Sequence, residues 1–416
     1  MRRTRPCPPI HPATLVIGID IAKESHVAVA TTSDGRSAKP HRFAATRAGF
    51  ESLLAYARSI STTQSAAGFV MAMEPTGHYA ETLVRWLGAQ KVPAYSVQPG
   101  HTSKAKSLLD GSSRKTDPKD AEVIAMLCRQ GLARPYRLPM GPFAVLRVAS
   151  HQRQQLVKRR SQVVNRLHRH VDVVFPELRT LFPKIESRTS RWVLRTMPVP
   201  TDVLAWSPEA LGQALYEASR WQLGEERASQ MLAAAATSVG VTEALPGHRL
   251  AIRQLLDELE HVLGQLTEVE GVMEAALSEV PYAGLLQSIP LLGRVTTATL
   301  LGEFGDLRNF QVAKQLIKFA GLSLVESSSG QRQGHHHIGR NGRAYARQML
   351  YLAALRVGWG VFAEPRRRKV EDRKGPPTKA AVANMARLLR VMHALVRDNK
   401  PFDGAYFAPK AASLAA

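Results

Sequence analysis

The chain has 416 residues, with 56 Lys and Arg against 34 Asp and Glu, which gives a formal net charge of +22 at pH 7. This length allows two or three domains, and the excess positive charge indicates a polyanionic partner, with nucleic acid as the leading candidate. Only two cysteines are present, which excludes a disulfide framework and a thiolate zinc site. No apolar run approaches the roughly 20 residues that span a bilayer, and the basic, proline-rich N-terminus lacks a signal-peptide core, so we expect a soluble, cytoplasmic protein with no membrane partner.

The first hundred residues predict an open sheet covered by helices. Strands are indicated by β-branched apolar runs, and helices by apolar residues spaced three and four apart. The predicted strands are 15–20, 26–31, about 38–43, a strand ending at Glu74 and one near 95–97; the predicted helices are 47–60 and one through Leu83 and Leu87. This ββαβα-type order is typical of an α/β mixed sheet with helices on its faces.

Four carboxylates occupy marked positions in this region. Asp20 ends the first buried strand, and Glu74 ends another strand just before Pro75. Asp117 and Asp120 begin a predicted helix, with Asp117 as the expected N-cap and Pro118 at the first helical position. Their three-residue spacing places both carboxylates on one helix face. The four acids are spaced like a divalent-metal nuclease centre on an RNase H-like sheet.

Carboxylate oxygens are the ligands that hard cations such as Mg²⁺ or Mn²⁺ prefer, and two such ions about 4 Å apart can bind both the attacking and leaving oxygens of a phosphodiester. Clustered carboxylates would otherwise repel one another. The alternative is purely structural: Asp20 caps a strand end, Glu74 pairs with an arginine, and Asp117 and Asp120 cap a helix.

Beyond residue 140 the pattern becomes helical. Residues 145–175 predict a long basic helix, whose Arg159, Arg160 and Arg166 we expect to contact nucleic acid, whereas the acidic stretch 201–280 should face protein or solvent. Apolar residues from 252 to 276 alternate spacings of three and four, which predicts a coiled-coil seam. Either this seam forms a dimer, or the helix packs within its own domain.

The last third contains two further motifs. An Ile289-Pro-x-x-Gly293 turn between helices is typical of a helix-hairpin-helix, in which turn amides such as that of Gly293 bind a phosphate backbone; an ordinary helix–helix turn is the alternative. Ser329 precedes a glycine in a polar loop followed by Arg340 and Arg343, which we expect to bind phosphate. A serine there is a candidate nucleophile towards phosphorus, although most serine-rich loops are only loops.

These motifs together resemble the DEDD transposases of insertion-sequence family 110, relatives of the Piv-type DNA invertases. The motifs that carry the resemblance are Gly-Ile-Asp-Ile-Ala-Lys (18–23), Met-Glu-Pro-Thr-Gly-His-Tyr (73–79), Lys-Thr-Asp-Pro-Lys-Asp-Ala (115–121), the hairpin, and Ala-Gly-Leu (320–322) followed by Ser-Ser-Gly. The resemblance implies a RuvC-like domain at 1–140, a helical, coiled-coil region at 141–280, and a mainly α transposase domain at 281–416.

The resemblance also implies residue roles. Asp20, Glu74, Asp117 and Asp120 match the metal-binding tetrad, and Ser329 matches the serine that links covalently to DNA. Ser327 or Ser328 could serve instead if the loop register differs. Residues 338–343 depart from the usual family sequence after the serine, which leaves their roles open.

The expected function is therefore that of a nucleoid-associated transposase or site-specific recombinase of an insertion sequence. It would cut and rejoin element-end and target DNA through a phosphoserine intermediate, as a dimer or tetramer, with a structured guide RNA as a further partner implied by the resemblance. One alternative is a RuvC-type, metal-dependent, structure-selective nuclease in which water attacks. Another is a non-catalytic nucleic-acid-binding protein with vestigial acids.

Overall fold

The computed structural model describes residues 10–32, 34–75, 77–109, 116–329, 332–339, 342–360 and 376–404; at 107–109, 326–329, 332–336 and 359 it describes the backbone alone. The chain divides into two compact units, Met1–Leu138 and Pro139–Ala416. The predicted helical region 141–280 and transposase domain 281–416 therefore fall together in the second unit. Across the described residues, no helix combines the length and apolar composition needed to cross a membrane.

The N-terminal unit is built on one six-stranded sheet with the order β3-β2-β1-β4-β5-β6. β1, β2 and β3 form an antiparallel meander, β4 and β5 continue parallel to β1, and β6 is antiparallel to β5. The strands are β1 (Thr14–Asp20), β2 (Ser25–Thr31), β3 (His41–Ala44), β4 (Gly68–Met73), β5 (Ala94–Val97) and β6 (Ala133–Pro135). An antiparallel meander joined to parallel strands in the order 3-2-1-4-5 is the RNase H-like arrangement expected from the sequence.

Four helices accompany this sheet, and the burial of their apolar faces explains the periodicity in the sequence. They are α1 (Arg47–Thr63), α2 (Tyr79–Ala89), α3 (Pro99–Leu109) and α4 (Asp117–Arg129). One apolar cluster includes residues of β1, α1 and α2, and a second includes residues of β1, β4 and α4. The sheet is therefore buried on both faces, as the continuous apolar runs of β1 and β4 require.

Two local predictions need correction. β3 begins at His41, not near residue 38, because Pro40 has no N–H for the strand ladder. The N-cap of α4 is Thr116, which has extended backbone angles, whereas Asp117 is already helical. Pro118 consequently lies one position further into the first turn, where its missing N–H is still tolerated.

The second unit is almost entirely helical. Its helices are α5 (Pro142–Val174), α6 (Leu178–Leu181), α7 (Arg188–Thr196), α8 (Pro200–Leu204), α9 (Pro208–Ala218), α10 (Glu225–Ala236), α11 (Leu245–Ser278), α12 (Ala283–Gln287), α13 (Arg294–Phe304), a 3₁₀ turn (Leu307–Asn309), α14 (Ala313–Phe319), α15 (Ala344–Trp359) and α16 (Pro377–Asp398). A two-stranded hairpin, β7 (Leu324–Ser329) with β8 (Arg332–Ile338), follows α14.

The longest helices, α5 and α11, pair with each other inside this unit. Arg153 near the start of α5 contacts Glu270 late in α11, and Arg166 later in α5 contacts Glu258 earlier in α11, so the two helices run antiparallel. The apolar seam predicted at 252–276 is buried in the two clusters that also contain the α5 stripe. The alternative of an amphipathic helix packed within its own domain therefore holds for these residues, and the seam is not exposed for dimerisation.

Candidate functional site

The ends of β1 and β4 bring two of the predicted acids to one edge of the sheet. β1 and β4 are parallel neighbours, and Ile19 pairs with Met73. Asp20 is the last residue of β1 and Glu74 directly follows the last residue of β4, so both acids lie at the carboxyl ends of adjacent strands. Both side chains are partly exposed. This edge is where open α/β sheets usually place their functional groups.

The first turn of α4 lies over the same edge because Gly18 permits a very close approach. A Cβ atom on Gly18 would stand 1.9 Å from the carbonyl oxygen of Ala121 and 2.8 Å from the amide nitrogen of Ala125. At the other end of α4, Arg129 donates hydrogen bonds to the backbone carbonyls of Thr14 and Thr31. α4 is therefore anchored to β1 along its length, with Asp117 and Asp120 in its first turn.

The carboxylates at this edge contact cations and a hydroxyl from neighbouring elements. Lys106 Nζ on α3 lies 2.7 Å from Asp120 Oδ2, and the Asp120 side chain is only 7% exposed. Thr102 Oγ1, one turn earlier on α3, donates to Glu74 Oε2 at 2.6 Å. Arg42 Nη2 on β3 lies 3.3 Å from Asp117 Oδ2. Sequence reasoning missed these three partners, because nothing in their local pattern distinguishes them from surface residues.

The structure thus brings together the three segments that carry the acids, namely the end of β1, the residue after β4 and the first turn of α4, but not the four carboxylates around one point. In the described part of the chain, no three His, Cys, Asp or Glu side chains are grouped closely enough to hold a metal ion. The bonds made by Asp117 and Asp120 account for part of this, since each carboxylate is directed to a basic side chain.

A buried histidine supports the turn that follows Asp20. His26 is 1% exposed, packs against the rings of Phe43 and Phe50, and accepts a hydrogen bond at Nδ1 from the backbone N–H of Ala22. Burial lowers the pKa of His26, so the ring is neutral at neutral pH. It therefore holds the backbone next to Asp20 without adding charge to the site.

The predicted serine lies on the β7–β8 hairpin. Ser329 pairs with Arg332 and Ser327 with His335, and the register shifts between them. This shift marks a local irregularity in the pairing of β7 with β8. For Ser327, Ser328 and Ser329 the backbone alone is described, so the choice of nucleophile remains a prediction.

Three further residues, all in the last third of the chain, were predicted to contact nucleic acid. Arg340 lies outside the described residues. Arg343 is the N-cap of α15, and its guanidinium lies 5.5 Å from the centre of the Phe319 ring. Gly293 is the N-cap of α13 and lies two residues after Leu291, whose φ is +67°. α12 and α13 therefore flank the predicted turn, while phosphate binding there remains a prediction.

The three arginines predicted on α5 are all engaged in ion pairs. Arg159 and Arg166 contact Glu258 at 3.0 and 3.3 Å, and Arg160 contacts Glu186 at 3.5 Å. They retain partial exposure, between 36% and 62% of each side chain. Any role in binding nucleic acid would therefore compete with these carboxylates.

Comparison with known proteins decides the family. A model described as a transposase of the DEDD type of IS110 matches residues 17–176, and a model of the IS116/IS110/IS902 transposase family matches residues 283–367. Together the two models span more than half of the chain. The chain belongs to the IS110 family of transposases.

Individual relatives agree with this assignment. The IS110-family chain is 27% identical over 406 residues to the insertion element IS116 uncharacterized 44.8 kDa protein of Streptomyces clavuligerus, covering 94% of this chain and 96% of the relative. It is 29% identical over 154 residues to the pilin gene-inverting protein of Moraxella bovis, covering 35% of this chain and 48% of that protein. A solved structure of Thermus thermophilus RuvC is similar over 29% of this transposase and 99% of its own chain, at 15% identity and a TM-score of 0.23.

Proposed function

We propose that this transposase moves an insertion element by cutting and rejoining DNA through a divalent-metal centre and a covalent phosphoserine. The metal centre would be held by four acids: Asp20, Glu74, Asp117 and Asp120. The observation that supports it is the parallel pairing of β1 with β4 together with the close approach of α4 to β1, since the four acids belong to the ends of these segments.

The residues fit a divalent ion of the Mg²⁺ or Mn²⁺ class. The donors are all carboxylate oxygens, which suit hard cations. Two of them, Asp117 and Asp120, already pair with the basic side chains of Arg42 and Lys106, so each of these carboxylates carries a positive partner. When bound, such ions polarise the scissile phosphate and stabilise the charge on the attacking and leaving oxygens.

Side chains of the protein itself would orient the acids and carry out the covalent steps. Thr102 fixes the orientation of Glu74 through its hydrogen bond. The Ser329 hydroxyl would form a bond from Oγ to phosphorus while the bond from phosphorus to a deoxyribose oxygen breaks, and the serine proton would end on the released oxygen. In rejoining, a strand hydroxyl attacks the phosphoserine and restores both the phosphodiester and the serine hydroxyl. The covalent phosphoserine ester retains the energy of the broken phosphodiester bond, so rejoining the strands needs no external energy source.

The test is an adduct assay with the purified full-length chain and duplexes carrying the element ends and target. The proposal predicts a protein–DNA adduct that survives denaturation and is lost in Ser329→Ala and in Asp120→Asn. Ser327→Ala and Ser328→Ala are matched controls that should retain it. If Ser329→Ala still cuts DNA, the water-attacking nuclease is correct instead. If Asp20→Ala retains transposition, the chain is a non-catalytic binder.

The proposal includes two further components, because the family resemblance implies both. The active assembly would contain two or four copies of the chain and a structured guide RNA. RNase treatment of the purified material should then abolish adduct formation, and adding the RNA back should restore it. Light scattering of the DNA-bound complex should give the mass of two or four chains, and a single chain would contradict this component.

A further inference from the structure

We propose that Lys106 is an exchangeable cation of the metal centre, which holds Asp120 when no metal is bound and transfers to a DNA phosphate when metal binds. The inference rests on the proposed function, because it takes the four acids as the metal ligands. It assigns to α3 a role in coupling metal binding to DNA binding. Lys106 would thus be a positioning residue for the scissile strand.

The geometry of α3 supports this role. Thr102 and Lys106 are four residues apart, so they lie on the same face of α3, and they contact Glu74 and Asp120 respectively. Thr102 is 2% exposed, and its hydroxyl also lies 2.8 Å from the carbonyl oxygen of Pro99, so this end of α3 is fixed. The Lys106 side chain is 36% exposed. A fixed helix therefore presents a long side chain with a solvated path away from the acid.

Charge explains why the ammonium would move. Lys106 Nζ stands 2.7 Å from an oxygen that the proposed centre needs as a ligand. A divalent ion on that carboxylate would place two positively charged groups within a few ångströms of each other, where their repulsion is much stronger than in bulk water. The lysine head is a compact charge with three donors on a flexible four-carbon stem, so release from Asp120 leaves it free to bind phosphate oxygen.

A plain structural ion pair makes different predictions. If Lys106 only stabilises the packing of α3 on α4, its loss lowers the free energy of unfolding and leaves metal and DNA binding unchanged in the folded protein. If Lys106 exchanges, its loss removes a competitor for Asp120 and also removes a phosphate contact. Metal affinity then rises while metal-dependent DNA affinity falls.

The first experiment measures Mn²⁺ affinity of the full-length chain by electron paramagnetic resonance. Lys106→Gln should bind Mn²⁺ about fivefold more tightly than the wild type, which corresponds to the loss of one partly exposed ion pair. Lys106→Arg keeps the charge and should behave like the wild type. Arg47→Gln, which breaks the exposed pair of Arg47 with Glu51 on α1, is the matched control and should leave the affinity unchanged.

The second experiment measures affinity for a short DNA duplex against salt concentration, in Ca²⁺ and in EDTA. Each lost phosphate contact reduces the slope of log K against log salt by about 0.9. Lys106→Gln should lose about this amount in Ca²⁺ and nothing in EDTA, where the wild-type lysine remains on Asp120.

The outcomes separate the two proposals. Unchanged Mn²⁺ affinity in Lys106→Gln, or an equal loss of slope in Ca²⁺ and EDTA, overturns the exchange while the metal centre stands. If Asp20→Asn and Asp120→Asn bind Mn²⁺ as the wild type does, the metal centre itself is wrong. A thermal melt of each variant confirms that the binding data come from folded protein.

Discussion

Replacement of Gly18 by alanine tests whether the approach of α4 to β1 sets the geometry of the site. The added Cβ would lie 1.9 Å from the carbonyl oxygen of Ala121, whereas an ordinary contact begins at 3.4 Å. Because the obstructing atoms belong to the backbone, α4 would have to move by about 1.5 Å, since a close-packed interior cannot absorb the overlap. The first turn of α4 would carry Asp120 away from Asp20 by a similar distance.

Both stability and activity should respond. Overpacking of this kind costs about 1–3 kcal/mol of unfolding free energy, and a misplacement of about 1 Å at a catalytic group can lower the rate about 100-fold. We therefore expect Gly18→Ala to remain folded in mild conditions and to cleave its DNA about 100-fold more slowly in single-turnover assays. Its Mn²⁺ affinity should fall as well, because Asp117 and Asp120 would move further from Asp20 and Glu74.

Gly88→Ala on α2 is the matched control, because an added Cβ there meets nothing within 4 Å. It should keep wild-type cleavage and, as an alanine near the end of a helix, lose no stability. Wild-type cleavage and Mn²⁺ affinity in Gly18→Ala would refute the reasoning, since the site would then tolerate displacement of α4. A denaturant titration of each variant establishes the folded fraction under assay conditions.

Three further predictions concern the second unit. Glu303 is 3% exposed and bonds to His151 Nε2 at 2.7 Å, so Glu303→Ala should lower the free energy of unfolding by about 1–3 kcal/mol in denaturant titrations, and Glu303→Gln by less. Burial and the adjacent His248 lower the pKa of His170 below 6.5. The unfolded chain is therefore protonated first on acidification, so the melting temperature should fall as the pH drops below about 6.5, and less so in His170→Gln. Glu258→Gln frees two arginines and should steepen the salt dependence of DNA affinity by about one to two units; an unchanged slope would exclude both arginines from DNA binding.

Most of the N-terminal sheet was predictable because β1, β2 and β4 are apolar runs that end in or are followed by a polar residue, whereas β6 (Ala133–Pro135) has three residues and was not predicted. Asp20 and Glu74 stand out because an acid directly after a buried run needs a specific reason. Pro118 and the three-residue spacing of Asp117 and Asp120 predicted the start of α4 to within one residue. Local sequence carries these features, so no knowledge of the packing was required.

The partners of the acids could not be predicted in the same way. Lys106 and Thr102 lie on α3, whose apolar residues show only weak helical periodicity, and their contacts depend on how α3 packs against α4 and against the end of β4. Arg42 reaches Asp117 from a strand 75 residues earlier in the chain. Such contacts depend on the tertiary arrangement, which no local pattern specifies.

The packing partner of the α11 seam could not be predicted either, although the local apolar pattern of this helix is clear. Apolar residues that alternate spacings of three and four predict that one helix face is buried, but they do not predict which surface covers that face. The helices α6–α10 return the chain so that α11 lies antiparallel to α5, and the seam is then filled by residues of the same molecule, such as Val163 and Leu167. Burial within the chain removes the reason to expect a dimer through these residues.

This pairing also changes the meaning of the net charge. The acidic residues of α11 were expected to avoid nucleic acid, and several of them instead neutralise arginines on α5 and α7. The composition therefore overstates the positive charge available along α5. Lys158 and Arg169 are exposed on α5 and have no ion pair among the described residues, so a phosphate bound beside them would displace no ion pair. The paired arginines can bind a phosphate only by exchanging one anion for another, which lowers the net gain of each contact.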